Sequence, residues 1–133
     1  MITLICGVGC AGKTTFSKAF DPVIHLDEVG LPWERYSKVN EKVAEINDDV
    51  VVEGIYNHTE LRVELLKAYG GDGSKCIWLD PPRHILEEHA KKRHIHMTKH
   101  HMNFAPPTFD EGWDEIIIIR GDHEQRYSRQ NQD

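Results

Sequence analysis

Gly7-Val8-Gly9-Cys10-Ala11-Gly12-Lys13-Thr14 follows directly on Ile2-Thr3-Leu4-Ile5-Cys6, and these two stretches decide how the chain folds. The apolar run reads as a buried strand, because continuous aliphatic residues without alternation suit a strand covered on both faces. Glycines permit backbone angles that turn successive N–H groups inward, which makes a nest for an anion. A helix that starts at Lys13 presents its positive end to the same point. Lys13 brings charge to the β- and γ-phosphates of a nucleotide, and the Thr14 hydroxyl is a ligand for magnesium. The pattern G-x-x-x-x-G-K-[ST] is matched at every position, between an expected strand and an expected helix, as such a cradle requires. Gly7, Gly9, Cys10, Ala11, Gly12, Lys13, Thr14 and Thr15 are therefore the expected contacts of ATP or GTP.

Outward from this stretch, strand and helix patterns alternate. Lys13 to Phe20 is the helix that the loop opens, and Val23-Ile24-His25-Leu26 is a brief second strand ending at Asp27. Pro32 interrupts the chain after it. Tyr36, Val39, Val43 and Ile46 recur on one helical face, which predicts a helix over 34–46. Val50-Val51-Val52-Glu53 is a β-branched strand closed by Gly54. Thr59 suits the cap of a helix bearing Leu61, Val63, Leu65, Leu66 and Tyr69, which Gly70-Gly71 terminates. Lys75 to Leu79 is a fourth strand, Arg83 to about His94 a charged helix, and Ile116 to Ile119 the last strand. The polar tail from Asp122 is expected to fray. Alternation of this kind predicts an α/β fold, a P-loop NTPase three-layer sandwich with a five-stranded parallel sheet and a short lid at about 89–104. Residues 1–133 are expected to form a single domain, since the length leaves no room for a second.

Composition narrows the function. Apolar residues make up 39% and charged residues 29%, so a packed core is expected rather than disorder. No apolar run approaches the roughly 20 residues of a membrane span, and the start of the chain does not read as a signal peptide. Three cysteines without a C-x-x-C pair suit the reducing cytoplasm better than a disulfide framework. The net charge of −6 argues against a protein that tracks long duplexes, because such proteins draw affinity from neutralising phosphates. Any nucleic-acid contact is expected to be short and local. The sequence offers no expectation for oligomeric state.

Three further stretches accompany the phosphate loop: His25-Leu26-Asp27-Glu28, Leu79-Asp80-Pro81-Pro82, and the run from Phe104 to Ile116, which contains Pro106-Pro107-Thr108-Phe109-Asp110-Glu111-Gly112-Trp113-Asp114-Glu115. Together they resemble the small, phage-type P-loop kinases related to polynucleotide 5′-hydroxyl kinase. The third is similar to the P-x-x-x-E-G-F-D-E-I segment that precedes the last strand in that family. The resemblance implies an ATP- and Mg2+-dependent phosphotransferase that moves the γ-phosphate to a hydroxyl. It places the base for that hydroxyl at Asp27 and lid arginines at the end of the helix after Leu79-Asp80-Pro81-Pro82. Two arginines one turn apart are usual there; here the matching positions are His89 and Arg93, so Arg93 is the cation for the γ-phosphate. Lys91, Lys92 or a protonated His89 are its supplements. The stretch from Asp27 to Val50 is short for the family, which thins the wall that would hold the acceptor.

The residues themselves support these roles. Asp27 ends a strand, where acceptors of open α/β sheets bind, and a carboxylate must take the hydroxyl proton. A helix cap is its structural alternative, and Glu28 its substitute. Glu53 closes the third strand and suits magnesium, together with Thr14, or contact with acceptor; a structural role is equally open. Arg35 is a candidate clasp for an acceptor phosphate, and Trp33 a stacking platform for an acceptor base. Trp78 and Trp113 read as core. His94, His96, His100 and His101 read as a polar lid rather than a zinc site, since no cysteine pair joins them. The expected acceptor is a nucleic-acid hydroxyl, at a 5′ end or on a hydroxymethylated base. The alternatives are a small-molecule kinase for a nucleoside, nucleotide or sugar, and a nucleotide-binding regulatory module.

Overall fold

The computed structural model of the protein describes residues 1–9, 11–20, 22–94 and 103–129. Ile2–Cys6 (β1) is buried throughout and lies between two parallel neighbours, Val50–Gly54 (β3) and Ser74–Leu79 (β4). Val23–His25 (β2) pairs with β3 on one side, and Glu115–Arg120 (β5) with β4 on the other, again in parallel. His123–Ser128 (β6) adds antiparallel to β5, so the sheet runs β2-β3-β1-β4-β5-β6.

β6 corrects the expectation of a frayed tail from Asp122 and of five strands. Its side chains are exposed at all but the last position, so apolar burial contributes little to it. Backbone pairing with β5 holds it, helped by ion pairs from Arg126 to Glu115 and Glu124. A polar edge strand has no apolar period from which to read it.

Lys13–Ser17 (α1), Arg35–Ala44 (α2), Thr59–Ala68 (α3) and Arg83–Lys92 (α4) follow the first four strands in turn. Thr59 is the first residue of its helix rather than the cap; His58 holds the cap position, and no side chain closes it. Successive strand residues point to opposite faces, and the chain has apolar residues for both. Leu4, Cys6, Val52, Cys76 and Trp78 pack with Val39 and Val43 of α2 and Leu65 of α3. Ile5, Ile77, Leu79 and Ile117 pack with Phe16 of α1 and Leu86 of α4. Cys6 and Cys76 are free, buried thiols with their sulfurs 3.7 Å apart. Among the described residues no helix is long and apolar enough to cross a membrane.

The segment after residue 102 returns to the sheet through a buried charge pair. Arg62 of α3 donates from Nε and Nη2 to the two carboxylate oxygens of Glu111, each at 2.8 Å, and neither side chain is more than 1% exposed. Arg62 also donates to the carbonyl of Tyr56 at 2.7 Å, and Trp113 Nε1 donates to Glu111 at 2.8 Å. Burial acts to lower the Arg62 pKa, but the hydrogen bonds and charge of Glu111 outweigh it and hold the group above its usual value. Phe104, stacked 5.3 Å from the Trp78 ring, pins the same segment.

Glu111→Ala strands a buried guanidinium. It is expected to lower the unfolding free energy by about 3–5 kcal/mol, read by urea denaturation. The double replacement Arg62→Met with Glu111→Leu should cost clearly less, because it removes both charges. Equal losses from the two variants would show that packing, and not the charge pair, holds this segment.

Candidate active site

The phosphate loop runs from the end of β1 to the start of α1. Gly12 takes φ 90°, a left-handed conformation that L side chains rarely adopt, and caps α1 with its carbonyl accepting from Phe16 N–H at 2.9 Å. Val8 accepts from Ala11 N–H at 3.2 Å, which curls the loop. Lys13 is only 9% exposed, and its ammonium donates to the carbonyl of Val8 at 2.8 Å. Its stem is therefore packed while its charge lies against the loop.

A cleft of about 310 Å³ opens beside this loop, at the carboxyl edge of the parallel strands. Gly9, Lys13 and Thr14 form its phosphate-loop wall. Leu26, Asp27, Pro32, Arg35 and Tyr36 come from the connection between β2 and β3. Glu53, Gly54 and Ile55 come from the end of β3, and Arg93 from the end of α4. Lys13, Thr14, Asp27, Glu53 and Arg93, singled out from sequence at widely separated positions, thus meet in one place. Gly7, Ala11 and Gly12 shape the loop without lining the cleft, and Thr15 is exposed beside it. Cys10 lies outside the described residues.

Asp27 sits in a 3-10 turn, Leu26–Glu28, rather than on the strand itself, and Glu28 does not line the cleft. The turn is seated by a close approach: a Cβ on Gly54 would come within 2.7 Å of Leu26 Cβ. Glu53 is buried, and His25 Nδ1 lies 3.0 Å from its Oε2. The two residues are register partners of β2 and β3, so strand pairing fixes the contact. Tyr36 packs edge-on against Tyr56, ring centroids 5.0 Å apart. Burial raises the Tyr36 pKa, opposed by a hydrogen bond from the Tyr56 backbone.

Sequence reading missed His25 and the cleft role of Tyr36. Tyr36 carries the helical apolar period, which hid its second position in the cleft. His25 has no local signal, since only the pairing of β2 with β3 brings it to Glu53. Trp33, read as a stacking platform, is 82% exposed and outside the cleft lining. His96, His100 and His101 lie outside the described residues, as do 95–102 of the expected lid.

No family model matches the sequence, and no curated protein matches it either. Solved structures do match. A sugar kinase from Janibacter sp. HTCC2649 superposes with a TM-score of 0.68 at 16% identity, covering 90% of this chain and 84% of that one. A gluconokinase from Sinorhizobium meliloti 1021 gives a TM-score of 0.68 at 16% identity, covering 91% of this chain and 82% of that one. The chain has the P-loop NTPase fold. Neither of these neighbours is described as a polynucleotide kinase, so the phage-type resemblance read from the sequence gains no support from them.

Proposed function

We propose that the protein is an ATP- and magnesium-dependent kinase that phosphorylates a hydroxyl of a small polyhydroxy molecule. One observation carries this reading: the phosphate-loop residues Lys13 and Thr14 line one cleft together with Asp27 and Arg93. That set contains what phosphoryl transfer needs, namely charge for the phosphates and a carboxylate for the acceptor proton. A small acceptor is favoured over a nucleic acid by the net charge of −6 and by a fold shared with a sugar kinase and a gluconokinase.

In this reading the phosphate loop cradles the ATP phosphates while Lys13 leaves the Val8 carbonyl for the β- and γ-oxygens. Asp27 accepts the acceptor's hydroxyl proton as that oxygen bonds to the γ-phosphorus. The bond from the γ-phosphorus to the bridging oxygen breaks, and ADP leaves. Arg93 offers a planar fork of donors to the oxygens on which charge builds. Thr14 and Glu53 fit magnesium. They are hard oxygen donors that line the same cleft. Magnesium bound there would neutralise phosphate charge, and His25 would hold the Glu53 carboxylate in place.

The test is transfer from γ-labelled ATP to a panel of sugars, sugar acids, nucleosides, oligonucleotides with 5′-hydroxyl ends and hydroxymethylated duplex. Label is expected on a small acceptor. Label on oligonucleotides alone would restore the nucleic-acid reading, and release of phosphate without transfer to any acceptor would favour a regulatory module. Asp27→Asn should lower kcat about 10²-fold, the range for losing a general base, with little change in the KM for ATP. If ATP binding collapses instead, Asp27 belongs with magnesium, and Glu53 becomes the base to test.

A further inference from the structure

The sheet has two edges, and they differ. β2 is three residues long, whereas β6 runs for six, and among the described residues no strand pairs with its outer side. An edge of that length, with its backbone donors and acceptors open, is a template for another strand. Exposed edges are commonly blunted by lysine, by proline or by a bulge. His123–Ser128 contains neither residue, and its pairing with β5 keeps one register throughout. Its two charged side chains, Glu124 and Arg126, are of opposite sign.

The hairpin decides which backbone groups face outward. β5 and β6 are joined by a turn at Gly121 and Asp122, with Arg120 paired to His123. Such a turn closes on a hydrogen bond between the residues that flank it. Hydrogen-bonded and non-hydrogen-bonded pairs then alternate along the ladder. His123, Gln125 and Tyr127 therefore turn their N–H and C=O groups to β5, and Glu124, Arg126 and Ser128 turn theirs to the open edge. A strand that adds there must set its own outward residues opposite these.

Two copies of β6 meet this condition when they run antiparallel about a two-fold axis. Centring the axis on Gln125 sets Glu124 opposite the second copy's Arg126, and Arg126 opposite the second copy's Glu124. Centring it on Glu124 or on Arg126 sets like charges against each other, which is unfavourable for residues directly opposite. In the favoured register both charge pairs fall at outward positions, so each also exchanges two backbone hydrogen bonds. On the other face Tyr127, 38% exposed, meets the second copy's His123.

We propose that β6 is a self-association surface, on which two copies of the chain pair antiparallel about Gln125 and join two six-stranded sheets into one of twelve. β2 and β3, which carry the acceptor wall of the cleft, lie at the far side of each sheet from β6. Both clefts stay open in such a dimer, and the proposal is independent of the kinase reading.

Sedimentation across a concentration series is expected to show the protein passing from monomer to dimer. Glu124→Arg and Arg126→Glu each turn both cross-strand pairs into like charges and should weaken the dimer about 10- to 100-fold. An equimolar mixture of the two variants restores opposite charges at both pairs and should dimerise again. That rescue separates lost pairing from a misfolded variant, which mixing does not repair. Gln125→Cys should cross-link across the axis under mild oxidation, where opposed side chains are close, and Tyr127→Cys should not. A monomer at every concentration, single variants that dimerise as the wild type does, a mixture that stays monomeric, or equal cross-linking of the two cysteine variants each overturns the proposal.

Discussion

Lys13→Ala is expected to remove phosphoryl transfer, with kcat falling by more than about 10³-fold, because a positive donor at the β- and γ-phosphates is lost together with its charge. The fold should survive. In the structure Lys13 donates to the Val8 carbonyl at 2.8 Å, and losing such a bond costs only about 1 kcal/mol. The loop's shape comes from other groups, the turn of Ala11 onto Val8 and the left-handed Gly12. Circular dichroism and the urea midpoint should therefore stay near wild type while label transfer disappears. Full activity in this variant would take the phosphate loop out of the mechanism.

Arg93→Ala is expected to cost roughly 10²- to 10³-fold in kcat, the effect of one well-placed donor on charge that develops in the transition state. Arg93 caps the end of α4 and lines the cleft, while His89, one turn earlier, does not line it. A single arginine thus stands where the resemblance implies two. Arg93→Lys keeps the charge but not the planar fork, so it should recover only part of the rate. His89→Arg should raise kcat by adding a second donor to the lid. An unchanged kcat in Arg93→Ala would show that the lid takes its charge elsewhere, with Lys91 and Lys92 next to test. These variants and Lys13→Ala should leave the stability of the Arg62–Glu111 region unaltered, since the hydrogen bonds that hold it run among Arg62, Glu111, Trp113 and the carbonyls of Tyr56 and Pro106.

Much of this site was legible in the chain because each part carries a local signal. The phosphate loop is contiguous, so its backbone angles and helix are set by neighbours in sequence. Asp27 and Glu53 each end a β-branched or aliphatic run, and in a parallel sheet such ends fall along one edge. β1, β3 and β4 are buried at nearly every position, which shows in the sequence as largely continuous apolar runs rather than alternation.

Other features depend on which strands become neighbours, and no local pattern encodes that choice. His25 reaches Glu53 only because β2 pairs with β3 in one register. Gly54 must be small because the turn that carries Asp27 is pressed against it. Arg62 looks like any charged helix residue until the 104–113 segment buries Glu111 against it. β6 forms although its sequence is polar, because the edge of β5 offers backbone hydrogen bonds that side-chain hydrophobicity does not reveal. The sequence alone determined the phosphate-loop pattern and the alternation of strand and helix, which rest on contiguous residues. Tertiary structure alone decided that Arg35 and Arg93 are the arginines without partners among the described residues. Pairing is a property of distance in space, and the partners of the other five come from both near and far along the chain.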